Sequence, residues 1–134
     1  MSLRTFLVID AVIASAFGLA LLLIPAILAA SYGISLNPGG TLLGQLFGAT
    51  LLGFGVINWV MRSSNDPQAI RAVLLGNFIS DVLGFVVGLL YQLMGQEGLN
   101  QPGWPTVVMY FALMCGFGYF LFTQSKPRAN PSSR

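Results

Sequence analysis

The chain has 134 residues, 55% hydrophobic and 7% charged, with six basic residues, four acidic residues, one cysteine and no histidine. That inventory removes the usual axial ligand of haem and chlorophyll, the commonest zinc ligand, a structural zinc site and an internal disulfide, so no cofactor and no metal are expected. The composition fits an integral membrane protein in one compact domain, and the +2 net charge with pI near 9.0 is read as topological, with no nucleic-acid partner.

The first apolar run is Phe6–Ala30, interrupted by a single charge at Asp10. Its 25 residues exceed the ~7–15 of a signal-peptide core, so the small residues Ala29, Ala30 and Ser31 are not read as a cleavage site. Asp10 lies about one turn and a half from Arg4, close to the interface, and its simplest role there is a snorkelling partner of that arginine. Ala14, Gly18 and Pro25 continue the same stripe, with Pro25 expected inside the last turn. An uncharged segment, Ser31–Gly40, follows, in which Asn37-Pro38-Gly39-Gly40 reads as an exterior turn.

The second run, Thr41–Met61, has no charge. Gly40, Gly44, Gly48, Gly55 and Asn58 share an arc of about 80° at 100° per residue, a small-residue seam that lets helix backbones approach. Arg62 and Arg71 bracket the next loop. The third run, Ala72–Met94, repeats Gly76, Ser80, Gly84 and Gly88 at intervals of four, with Asn77 and Asp81 beside them in an arc of about 140°. The opposite arc, Leu75, Phe78, Ile79, Val82, Phe85, Val86, Leu89 and Leu93, is expected to face lipid.

Beyond it, Gly95–Gly103 carries only Glu97 and ends in the turn signal Gln101-Pro102-Gly103. The fourth run, Trp104–Thr123, carries no charge and places Ala112, Gly116 and Thr123 on one stripe. The last nine residues, with Lys126, Arg128 and Arg134, read as a disordered polar tail. Trp59, Trp104, Tyr91, Tyr32 and Tyr119 fall mostly near the ends of runs, as an interfacial belt does.

Each run is long enough to span a hydrocarbon core of about 30 Å, which predicts an all-α membrane protein built as a four-transmembrane-helix bundle (about 6–30, 41–61, 72–94 and 104–123) with residues 126–134 outside it. All the basic residues fall on one side of such a chain, so the positive-inside rule puts both termini in the cytoplasm. Shifting the sequence by 63 positions aligns Leu36-Asn37 with Leu99-Asn100, Gly40 with Gly103, Ala49 with Ala112, and Gly53-Phe54-Gly55 with Gly116-Phe117-Gly118. Two tandem hairpins of one orientation are the simplest account.

Depth singles out the polar residues. At ~1.5 Å per residue, Asn58, Asp10 and Asn77 lie about 5–8 Å inside the cytoplasmic boundary and Asp81 about 13 Å. A charge near mid-membrane costs roughly 2.5–3.5 kcal/mol on insertion scales, while interhelical hydrogen bonds there average only about 0.6 kcal/mol. Asp81, Asn77, Asn58 and Asp10 are therefore ligand or proton-relay candidates, with Arg71 at the cytoplasmic mouth long enough to bend toward either aspartate. The functional form of that cluster is a polar cavity open toward the cytoplasm; the structural form is a hydrogen-bonded layer of neutral groups. Gly44, Gly48, Gly76, Ser80, Gly84 and Gly88 are helix-packing candidates. No Walker loop, Gly-x-Ser-x-Gly elbow or nucleophile accompanies the carboxylates, so no catalytic residue is assigned.

The glycine-rich second helix ending Asn58-Trp59-Val60-Met61-Arg62, followed by a third helix with Asn77 and Asp81, resembles small bacterial four-helix membrane proteins, the DoxX-like and related families. The resemblance spans the chain, rests on glycines and hydropathy, implies a multi-pass location in the bacterial inner membrane, and supplies no catalytic residues. The leading expectation is a non-enzymatic accessory or assembly subunit of a larger membrane complex, respiratory or photosynthetic, with other membrane subunits or further copies of itself as partners in the bilayer. Its rival is a small-molecule or lipid binder, or a small transporter, using the Asp81–Asn77–Asn58 pocket. A third class, an acid–base membrane enzyme, would pair Asp10 with Asp81.

Overall fold

A computed structural model describes residues 1–94 and 103–124. These form five helices: α1 (Leu3–Leu23), α2 (Pro25–Ser31), α3 (Pro38–Met61), α4 (Pro67–Leu93) and α5 (Gly103–Gln124). Four of them, all but α2, are long and apolar enough to cross a membrane, which fits a helical multi-pass membrane protein. Glu97, the Gln101-Pro102 part of the second turn signal, the Leu99-Asn100 half of the repeat, and the tail with Lys126, Arg128 and Arg134 lie outside the described residues.

The helices begin where capping chemistry sets them, several residues ahead of the apolar runs. Asn37 accepts the Gly40 N–H through its side chain at 2.7 Å with Pro38 in the first helical turn, so the segment read as an exterior turn is the start of α3. Asp66 caps α4 the same way, accepting from the Gln68 N–H at 2.9 Å ahead of Pro67. Ser2 caps α1 by accepting the Thr5 N–H at 3.2 Å.

The first apolar run departs from expectation. Pro25 does not ride in the last turn of one helix; it divides the run in two. Proline bars its predecessor from the α region, and Ile24 accordingly sits at φ −135°, ψ 47°, still donating its N–H to the Ala20 carbonyl at 2.8 Å. The break interrupts the carbonyl ladder, and Gln45 of α3 donates its side-chain amide to the Leu22 carbonyl at 3.1 Å. In a bilayer such repair by a neighbouring helix is what makes a broken span tolerable.

α1 packs antiparallel on α3 and α4 antiparallel on α5, and the two hairpins meet over much smaller surfaces. The hairpins use glycine differently. Between α1 and α3 the backbones themselves touch: a Cβ added at Gly48 would stand 2.7 Å from the Gly18 carbonyl oxygen, and one added at Gly18 would stand 2.8 Å from the Gly48 carbonyl oxygen. Between α4 and α5 glycines receive side chains instead. Gly84 lies under the Tyr110 ring, Gly118 under Phe78, and Gly88 beside Val107.

Several face assignments are corrected by this packing. Phe78 and Phe85, expected at lipid, pair with Phe122 and Phe111 of α5 at 6.4 and 5.5 Å between ring centroids. Gly76, expected in a helix seam, is exposed with nothing within 4 Å of an added Cβ, because α4 turns its 74, 77 and 81 positions inward. Ser80 is exposed as well. Gly44 makes ordinary contact with Pro25, at 3.8 Å for an added Cβ. The glycines matched by the 63-residue shift have different neighbours: Gly53 faces open space, whereas Gly116 lies against the Phe6 ring.

Near the end that carries Arg4, Arg62 and Arg71, a core of Phe6, Leu7, Leu74, Leu113, Phe117, Phe120 and Leu121 joins α1, α4 and α5. Phe117 is wholly buried and meets Phe6 edge-on at 4.7 Å. This aromatic plug separates the basic end from the polar residues farther in.

Candidate functional site

The inward stripe of α4 holds Leu74, Asn77 and Asp81, spaced by three and four residues so that all three share one face. The two polar members therefore project into the bundle beside Asn58 of α3 and Asp10 of α1. All four are buried: Asn58 is 0% exposed, Asp10 6%, and Asn77 and Asp81 7% each.

Three of the four satisfy one another. The Asn58 amide nitrogen donates to the Asp10 carboxylate and to Asn77 Oδ1 at 3.2 Å. Asn77 returns a bond to Asn58 Oδ1 at 2.9 Å and donates a second to the Val73 carbonyl at 2.9 Å. Asn58 is thus the hub that ties the α1–α3 hairpin to α4. Asp10 does not snorkel to Arg4: the carboxylate turns inward to the asparagine, and Arg4 is exposed. Arg71 is also exposed and makes no ion pair with either aspartate among the described residues.

Asp81 is the exception. Its Oδ2 is buried without any hydrogen-bond partner. A buried acceptor left unsatisfied costs about 1–3 kcal/mol, and more if charged. Asp81 also lines a cavity of about 320 Å³ between the two hairpins, together with Asp10, Asn77 and Ser80. The rest of the wall is apolar and aromatic: Ile13, Phe17 and Leu21 from α1, Phe47, Leu51 and Phe54 from α3, and Met109, Tyr110 and Leu113 from α5.

The cavity runs opposite to expectation. From the aspartates it extends away from the basic end, past Tyr110 and Gly44, to Leu28, Tyr32, Ile34, Leu36 and Thr106. An opening toward the basic side is what the depth of the polar residues predicts; the buried core with Phe6 against Phe117 occupies that side instead. The far end is tied by a 2.8 Å bond between the hydroxyls of Tyr32, the C-cap of α2, and Thr106 of α5. Its exposed lining residues are Ile34 in the α2–α3 loop, Phe47 of α3 and Ser80 of α4.

The sequence reading missed Tyr110, Tyr32, Thr106 and Ser80 as parts of this wall. Tyr110 could have been found as a phenol well inside an apolar run rather than at its end. The Tyr32–Thr106 tie spans 74 positions, and no spacing signal connects them. Among the described residues no three acidic or cysteine side chains gather in a way that would hold a metal ion.

Comparison with known proteins gives one family. The model for a Domain of unknown function (DUF8292) matches residues 2–128, and the chain belongs to that family. No curated protein and no solved structure matches it.

Proposed function

We propose that this member of the DUF8292 family is a non-enzymatic, multi-pass protein of a bacterial inner membrane that binds a small membrane-soluble molecule at Asp81. The observation that carries the reading is the unpartnered Asp81 Oδ2 on the wall of an apolar cavity. A concave, mostly apolar space of ~300–1,000 Å³ with a few convergent polar groups is the ordinary form of a small-molecule site. A ligand that donates one hydrogen bond to Asp81 removes the desolvation penalty which the folded chain by itself leaves standing. Arg4, Arg62 and Arg71, at one end of the bundle, support an orientation with both termini in the cytoplasm. On that orientation the cavity lies toward the outer half of the membrane.

The accessory-subunit reading has one observation in its favour: Asp10, Asn58 and Asn77 are bonded among themselves, as a purely structural layer would be. One preparation separates the two. The protein is purified in mild detergent, its bound small molecules are extracted and identified by mass spectrometry, and the copurifying proteins are identified in the same sample. Ser80→Phe, which fills the cavity from an exposed position, serves as the comparison. The binding reading expects a stoichiometric small molecule that Ser80→Phe lacks. A stoichiometric partner protein in both samples, with no small molecule in either, would establish the subunit reading instead.

A further inference from the structure

We infer that the occupant of the cavity is a lipophilic amine, a single apolar body with a protonated amino head, which enters from the bilayer between α3 and α4 and seats its head at Asp81. The inference rests on the binding reading above and adds the ligand's chemical class, orientation and route.

The class follows from the charges on the wall. Asp10 and Asp81 both line the cavity and no basic residue does. A phosphate or carboxylate head would therefore meet carboxyl groups with no counter-charge. Asp10 already accepts from Asn58, whereas Asp81 Oδ2 accepts from nothing. An ammonium supplies both what the unpartnered oxygen lacks, a donor, and what a carboxylate at this depth needs, an opposite charge. The rings on the wall agree. Phe17, Phe54 and Tyr110 line the same space, and aromatic faces attract a cation, most strongly once it is desolvated.

Size and access settle the shape. A volume of about 320 Å³ stands at the small end of ligand sites, room for one chain or one compact ring system and too little for a two-chain phospholipid. The basic end is closed by the Phe6–Phe117 plug, and the far end is tied between α2 and α5 by Tyr32 and Thr106. Phe47 and Ser80, exposed on the facing sides of α3 and α4, mark the open seam, so a molecule already dissolved in lipid reaches Asp81 without crossing water.

The test uses the full chain in phosphatidylcholine nanodiscs with Cys115→Ser to remove the exposed native thiol. Ser80→Cys then places one thiol on the cavity wall, and its alkylation by N-ethylmaleimide is timed with dodecylamine, dodecanol or dodecanoic acid present. Dodecylamine at ten times its dissociation constant should slow alkylation about tenfold, while the alcohol and the acid leave the rate nearly unchanged. Gly76→Cys, about one turn away on the open surface, should show no protection by any of the three. Adding Asp81→Asn to the Ser80→Cys protein should abolish protection by the amine. Equal protection by all three probes would overturn the amine assignment while leaving a binding cavity. Protection by none would overturn it also, and the extracted-ligand measurement then judges the cavity reading separately. If Asp81→Asn fails to fold, the three-head comparison on the chain that retains Asp81 decides alone.

Discussion

Gly48→Ala is the sharpest stability prediction, because its obstacle is backbone rather than a side chain that can swing away. The new methyl would meet the Gly18 carbonyl oxygen at 2.7 Å, Leu21 Cβ at 2.9 Å and the Leu22 nitrogen at 3.0 Å. Restoring ordinary contact requires α1 and α3 to part by roughly 0.7 Å. A gap of that size along a packed seam forfeits a quarter to a half of the dispersion well of each contact, and overpacking of this kind costs about 1–3 kcal/mol. Gly53→Ala is the matched control, on the same helix with nothing within 4 Å. There alanine gains helix propensity worth up to about 1 kcal/mol and meets no obstacle, so the substitution should be neutral or stabilising. The assay is reversible unfolding in mixed micelles followed by circular dichroism. A Gly48→Ala protein as stable as Gly53→Ala would refute the claim that α1 and α3 are held at backbone contact.

Asn58→Leu should be the most damaging single change in the polar layer, at about 1–3 kcal/mol for each group it strands, because the Asp10 carboxyl and Asn77 Oδ1 both lose the Asn58 donor; unfolding in the same micelles checks it. Gly84→Leu should cost about 2 kcal/mol or more by colliding with the Tyr110 ring, while Leu83→Val on the exposed side of α4 should be nearly silent, and equal effects would remove the assignment of faces. For topology, a thiol placed by Ser35→Cys in the Cys115→Ser background should be labelled by an impermeant reagent from outside, and a reporter fused after Arg134 should read cytoplasmic; labelling only after permeabilisation would reverse the orientation.

Hydropathy made the four spans legible because length and apolarity are set by the bilayer, which acts on every residue of a run alike. It could not place their starts, since Asn37 and Asp66 begin α3 and α4 by capping chemistry that ignores hydropathy. Pro25 was visible, but whether a proline bends a span or breaks it depends on what repairs the freed carbonyls. Gln45, twenty positions on, was the missing fact. The arc of Asn77 and Asp81 was legible from a 3.6-residue period, and their depth beside Asn58 and Asp10 followed from counting. Which way the cavity ran was not. That depends on Phe6 meeting Phe117 and Phe120 at one end and Tyr32 meeting Thr106 at the other, contacts between distant residues that no local pattern announces. Glycine misled for a similar reason: spacing at four marks a smooth stripe, but Gly84 lies under a ring while Gly76, eight positions earlier on the same stripe, faces open space.

Binding at Asp81 is tested most directly by imaging the chain in a lipid nanodisc by electron cryo-microscopy at a resolution that shows individual side chains. Non-protein density is expected in the space bounded by Phe17, Phe54 and Tyr110, with its polar end at hydrogen-bond distance, about 2.7–3.2 Å, from the Asp81 carboxyl. A bundle in which α3 and α4 close on each other, the cavity is filled by the chain's own side chains and Asp81 is bonded to one of them would contradict it.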